Sequence, residues 1–288
     1  MTKIAAAVGS GKTNNRSDVR TIEVLLNRNL GLLVPYAPLD VDGKFASKLE
    51  DMIKEFQSRV MRMSSPDGVC DPNGQLLPAL SNHAAAYVPN VDDTQISWNP
   101  GGLTEEQYVD TALRLDCEAA AVKAVVGVEL GVTNPLDSQG RPTILFERHR
   151  FHALTAGRFD KSDPDISNPV AGGYGRFSEQ YPKLERAKIL DKDAALESAS
   201  WGAFQIMGEN FSVAGFASVD DFVAAMNTVA GQIGAFVTFV NNSSAIHRAL
   251  QKKDWTAFAK NYNGPDFAKN SYDTKMKNNY NTFLTATN

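Results

Sequence analysis

Residues 115–131, LDCEAAAVKAVVGVELG, carry Ala and Val almost all the way round a helical wheel. A helix with no polar face to offer water is a buried helix, wrapped by other elements rather than lying on a surface. Gly131 is positioned to stop it. Upstream, Leu103-Thr104-Glu105-Glu106-Gln107-Tyr108 combines a Thr N-cap, a Gln three residues later and a flanking apolar pair. That is the pattern of a capping box with a hydrophobic staple, and it predicts the start of a long helical domain. TILFER, residues 143–148, after the turn-rich NPLDSQGRP, is the one convincing strand candidate in this half. Helical patterns then run from Ser178 to the C-terminus, with no repeat of 20 to 50 residues and no low-complexity tract.

Residues 13–80 read as a separate small helical module. Ser17 is a candidate N-cap for a helix with Val19, Ile22, Leu25 and Leu26 on one stripe. A second helix places Leu49, Ile53, Phe56, Gln57 and Val60 along one side, after a turn at Asp42-Gly43. The turn SSPDGVCDPNG closes the unit. Residues 81–102 hold turn clusters without a sustained period and read as a linker, which divides the chain into 1–80, 81–102 and 103–288.

The chain has 288 residues, 43% hydrophobic and 22% charged, enough apolar content to form a core without staples. Cys70 and Cys117 are therefore read as unlinked thiols. The N-terminal apolar run is five residues, too short for a secretory signal, and no stretch of eighteen apolar residues follows. The expectation is a protein made in a cytoplasm, without a membrane span. A net charge of -4 and a pI near 5.6 argue against a nucleic-acid partner held by global electrostatics.

Glu129 ends the apolar helix, where Val125, Val126, Val128 and Leu130 would withhold water and raise its pKa. A carboxyl that keeps its proton near neutrality can act as a general acid toward a glycosidic oxygen. The plainer reading is a helix-terminal Glu reaching solvent or pairing with an Arg. Glu147, beside Phe146, Arg148 and Arg150, is the candidate second carboxylate, against an Arg-Glu ion pair that only holds the hairpin. Asp137, in a Ser, Gln and Gly neighbourhood that reads as solvated, competes for that role. His149 and His152 have i, i+3 spacing but lack further ligands, so no metal is expected, and no cofactor. Gly9-Ser10-Gly11-Lys12 follows no strand and lacks the first phosphate-loop glycine. The segments Trp201–Met207 and Asn261–Gly264 are rich in aromatic and amide groups, which suit sugar binding, or else core packing and a helix C-cap.

Three segments in order, VVGVELG, SWGAFQIM and KNYNGP, resemble the lysozyme-like superfamily of goose-type lysozymes and lytic transglycosylases. GRPTILFERHRFHALTAGRFD with SWGAFQIMGENF and AFAKNYNGPDFA resembles, more closely, the N-acetylmuramidase family of phage endolysins, over most of residues 104–288. Residues 13–80 resemble a peptidoglycan-binding module through SDVRTIEVLLN, VDGKF and IKEFQ. The resemblance implies a mainly α chain: a small three-helix binding module, then a larger lysozyme-like helical catalytic domain with a short β-hairpin. It implies hydrolysis of the β-1,4 bond between N-acetylmuramic acid and N-acetylglucosamine in bacterial peptidoglycan, with Glu129 as general acid. It makes Gln205, Tyr262 and Asn263 groove residues, with Trp201 beside them, and strengthens Glu147 and His149. The TILFER hairpin would form one wall of the cleft and the Gln205 and Tyr262 segments the other. Leu130 departs from the Ser usual after the catalytic Glu. By the same analogy the protein is a monomer with a Gram-negative host, held in the host cytoplasm until a holin opens the way to the wall. The rival readings are a lytic transglycosylase giving 1,6-anhydro ends and a non-catalytic wall-binding virion protein.

Overall fold

The computed structural model describes residues 2–83, 102–131 and 133–286. Its N-terminal part holds three helices, α1 (Arg16–Arg28), α2 (Ser47–Arg59) and α3 (Leu76–His83). The stripe Val19, Ile22, Leu25 and Leu26 is buried against Leu49, Ile53, Phe56 and Leu80 in one apolar cluster. Polar side chains fix the intervening loop. Asn27 donates to the Leu39 carbonyl (2.9 Å) and accepts from its amide (2.8 Å), and Gly43, at the predicted turn with φ +75°, donates to Glu23 (3.0 Å). Ser17 does not take the expected cap: α1 begins at Arg16 with Asn15 at the N-cap position. Asp18 binds the chain ahead of the helix instead, accepting from the amides of Ala5 and Ala6. Of the expected linker, residues 81–83 end α3, and residues 84–101 lie outside the described residues.

Packing divides the chain into two units. The first joins the N-terminal segment to Thr104–Ala124 and Lys277–Asn288. Within it, α4 (Glu105–Arg114) starts at the predicted box: Gln107 N donates to Thr104 Oγ1, and Thr104 N to Gln107 Oε1. α4 packs on α1. Arg28 pairs with the buried Asp110, and Arg20 with Glu105 at 3.3 Å. Lys123, itself buried, sets its ammonium on Glu105 at 2.6 and 2.9 Å. It belongs to α5 (Ala119–Glu129), which is buried from Ala120 through Val126, as its composition requires. Gly131 follows the helix in the left-handed region, φ +60°.

The second unit is Pro100–Leu103 with Val125–Met276. It contains β1 (Ile144–Phe146), α6 (Arg148–Leu154), α7 (Gln180–Leu190), α8 (Lys192–Glu197), β2 (Ala199–Trp201) and β3 (Ile206–Met207). Then come α9 (Val219–Met226), α10 (Val229–Asn242), α11 (Ser244–Lys252) and α12 (Trp255–Tyr262), and α13 (Tyr272–Ala286) begins. The strands form one antiparallel sheet in the order β1-β2-β3, with Leu145 opposite Ser200 and Ser200 opposite Met207. Two of these strands fall in the stretch that reads as helical. Strands of three and two residues are too short to display a period, and β2 is buried at all three positions, which erases alternation. Phe204, in the turn between them, stacks on Phe236 of α10 with centroids 3.9 Å apart and planes 7° from parallel.

Candidate active site

Glu129 occupies the last position of α5. Burial among its neighbours pushes the carboxyl up to about 7, against the lowering effect of a hydrogen bond donated by Asn263 Nδ2 to Oε1 at 2.8 Å. Asn263 is placed by α12, whose C-cap it is. Tyr262, one residue earlier, donates its hydroxyl to the Phe204 carbonyl (2.6 Å) and stacks on Phe258, centroids 5.1 Å apart. Phe236 and Phe239 meet its ring edge-on. This aromatic seat ties α12 to the β2–β3 turn and so fixes the amide against Glu129. Burial, and then the Glu129 charge, hold the Tyr262 phenol well above its ordinary range. It serves as a neutral anchor.

Glu147 follows β1 and is the N-cap residue of α6, its amide donating to Ser198 O at 2.9 Å. The adjacent Phe146 amide donates to Gln180 Oε1 (2.9 Å), while Gln180 Nε2 donates to the carbonyls of Tyr174 (2.7 Å) and Arg176 (3.0 Å). One buried amide thus holds both the strand end before Glu147 and the loop carrying Tyr174. Burial raises the Glu147 pKa, Arg150 opposes this and Glu209 adds to it. Neither flanking arginine pairs with it: Arg148 donates to Val170 O (3.1 Å), and Arg150 binds Glu209. The nearest cationic candidate among the described residues is His149, Nε2 3.4 Å from the carboxylate, with its pKa pushed down by burial and by Arg150. Tyr272, at the start of α13, is raised to about 12 by burial and then by the charges of Glu129 and Glu147, followed by Tyr174. Both carboxylates therefore act on one phenol. Sequence reading missed Tyr174 and Tyr272; an aromatic set among three glycines in GGYGR was the available signal for the first.

Asp137 is clamped rather than solvated. Arg141 binds one carboxylate oxygen through Nε (2.9 Å) and Nη2 (2.7 Å), and the amides of Gln139 and Arg141 donate to the other. Burial works against its ionisation, but these donors prevail and hold its pKa below the ordinary value. Gln205, at φ +47°, accepts from Ser200 Oγ (2.7 Å) and donates to the carbonyls of Gly202 (2.9 Å) and Thr143 (3.3 Å). Its amide braces the sheet. Trp201 is 2% exposed and donates its indole N–H to Leu196 O, so it offers no ring face to a sugar and belongs to the core. The expected opposition of walls is also corrected: β1 and the Gln205 turn share one sheet, hence one wall. His152 faces Asp160 (2.8 Å), to which Ser167 also donates, a brace between α6 and the following loop.

A carboxyl poised to hold a proton near neutrality, with a second half-buried carboxyl in the same packing unit, is a combination that suits glycoside hydrolysis. Residues 118–284, more than half of the chain, match the N-acetylmuramidase family, and residues 15–73 match the peptidoglycan-binding domain family. The chain belongs to the N-acetylmuramidase family, a peptidoglycan-degrading glycoside hydrolase with an N-terminal peptidoglycan-binding module. Among solved structures it is similar to the crystal structure of Burkholderia AP3 phage endolysin, with 31% identity and a TM-score of 0.58 over 94% of this chain and 96% of that one. No curated protein matches it.

Proposed function

We propose that the enzyme is a phage endolysin that cleaves the β-1,4 bond between N-acetylmuramic acid and N-acetylglucosamine, with Glu129 as general acid. The observation that carries this reading is the half-buried Glu129 carboxyl with its Asn263 hydrogen bond. Protonated, Glu129 gives its proton to the glycosidic oxygen as the C–O bond breaks, and the carboxylate left behind is stabilised by the Asn263 amide; a water then bonds through its oxygen to the anomeric carbon and gives up the proton that restores the acid. Glu147, free of an arginine partner, supplies negative charge to the sugar as it gains oxocarbenium character. Asp137 is excluded from that part by its Arg141 clamp. His149, Tyr262, Asn263 and Gln205 frame the groove, the last through the sheet it braces.

The N-terminal module, within residues 1–80, tethers the catalytic domain at residues 103–288 to the insoluble wall and raises the local glycan concentration. No helix of the described residues is long and apolar enough to cross a membrane. A separate holin would release the enzyme, a monomer, from the infected cytoplasm to the wall. The test is mass spectrometry of fragments released from purified peptidoglycan, before and after borohydride reduction. Reducible N-acetylmuramic acid ends are expected. Ends in the 1,6-anhydro form, which resist reduction, would make the enzyme a lytic transglycosylase.

A further inference from the structure

Glu147 is the N-cap residue of α6 and Arg150 lies three residues on, in the helix's first turn, close enough in sequence for opposite charges to meet. Here the Arg150 guanidinium turns away to Glu209, and its buried Nε has no partner among the described residues. Glu209 lies in the short 3-10 turn Gly208–Asn210 directly after β3. That turn is seated tightly on α8: a Cβ on Gly208 would meet the Leu196 carbonyl oxygen at 2.1 Å. The backbone carrying Glu209 is thus fixed by a close approach that only glycine permits, and its carboxylate is presented to Arg150 from outside α6.

We propose that Glu209 is a positioning residue for Glu147: by engaging Arg150 it prevents an ion pair that would neutralise the second carboxylate. The proposal rests on the reading of Glu147 given above. An arginine released next to a half-buried carboxylate would pair with it, favour its ionised form and occupy the oxygens that must face the sugar. The groups facing Glu147 are consistent with this balance. From α6 come His149 and Arg150, with Arg148 acting on His149 and Tyr174, from the turn after β3 Glu209, from the loop before α7 Tyr174, and from α13 Tyr272. Of the two cationic arginines, Arg148 is spent on the Val170 carbonyl, which leaves Arg150 as the one Glu209 must hold. Glu197 of α8 adds negative charge on the Glu209 side.

The experiment is a carbon-13 titration of the Glu147 side-chain carboxyl in the full chain, comparing the unchanged protein with Glu209→Gln, Arg150→Gln and the double variant. Glu209→Gln should lower the Glu147 midpoint by roughly one pH unit. The acid limb of the kcat profile should move down with it, and kcat should fall about tenfold with little change in KM. Arg150→Gln should raise the midpoint. The double variant should titrate above Glu209→Gln and recover most of the rate, because the arginine that would pair is gone. An unmoved midpoint in Glu209→Gln, or a rate loss that Arg150→Gln does not recover, overturns the proposal. Glu147→Gln, assayed in parallel, isolates the reading beneath it: full activity there removes Glu147 from catalysis whatever the titrations show.

Discussion

A glutamate held at a pKa of about 7 is half protonated in neutral solution, whereas an ordinary one, at 4.5, is protonated in about one molecule in three hundred. General-acid catalysis by Glu129 therefore predicts a rate that falls as pH rises through about 7. Asn263→Ala removes the hydrogen bond that favours the anion, so this alkaline limb should shift upward while kcat drops about tenfold. Glu129→Gln should abolish turnover with wall binding and fold retained; substantial residual lysis would remove Glu129 from its role. The same substitution has a stability signature. Because the folded pKa lies above the unfolded value of 4.5, the stability tied to the protonated form is complete below that value and lost as pH rises through about 7. The loss is at most about 3 kcal/mol. Gln cannot ionise, so thermal denaturation should find the variant equal to the parent near pH 4 and more stable at pH 8. For Glu147→Gln a large loss of kcat is expected with a melting temperature equal to the parent's in acid and no lower at pH 8, since burial raises this carboxyl's pKa too. A destabilised but active variant would return Glu147 to a structural ion-pair role.

Elements of this site are hung from two buried glutamines. Gln180 joins the end of β1 to the Tyr174 loop, and Gln232 of α10 accepts from Ala203 N (2.7 Å) while donating to the carbonyls of Met226 (2.8 Å) and Pro135 (3.3 Å). Gln180→Leu strands the Phe146 amide, while the Tyr174 and Arg176 carbonyls keep Lys183 Nζ and the Glu179 amide, a cost of about 1–3 kcal/mol. Calorimetry should report that loss, and hydrogen exchange should speed up at the Phe146 amide. What was legible in the sequence follows the physics of each element. The Thr104–Gln107 box was readable because capping is decided by residues three apart, and α5 because an apolar helix has one possible environment. The sheet was not, since β2 pairs with β1 more than fifty positions away in the chain, and the two-residue β3 is held only through β2. Trp201 was misjudged for a related reason: composition shows an indole, but not that it is buried with its N–H already on Leu196 O, and likewise not that the Gln205 amide is already bonded to Ser200 and Thr143. Glu209 was silent because nothing local distinguishes a glutamate that must meet an arginine from another helix.

On the scale of the whole molecule, the first packing unit reaches past the expected boundary at residue 103, taking in Thr104–Ala124 and Lys277–Asn288. This changes what a truncation would measure. Removing residues 1–95 as a test of tethering also removes α1, which carries the Arg28 partner of Asp110, a residue 5% exposed, and the cluster on which Leu113 packs. Arg114, at 3.7 Å, would remain as a more distant partner for that carboxylate. Loss of the Arg28 ion pair and an uncovered apolar side chain together cost about 1–3 kcal/mol. The plain truncation should therefore melt lower and lose activity on sacculi and on soluble glycan fragments alike. A truncation that also carries Asp110→Asn and Leu113→Gln relieves both defects and separates the two effects. If the module is a tether, that variant should recover turnover of soluble fragments while remaining at least tenfold weaker on sacculi, as loss of effective concentration predicts. Equal recovery on both substrates would mean that the N-terminal helices serve the fold and not the attachment to the wall.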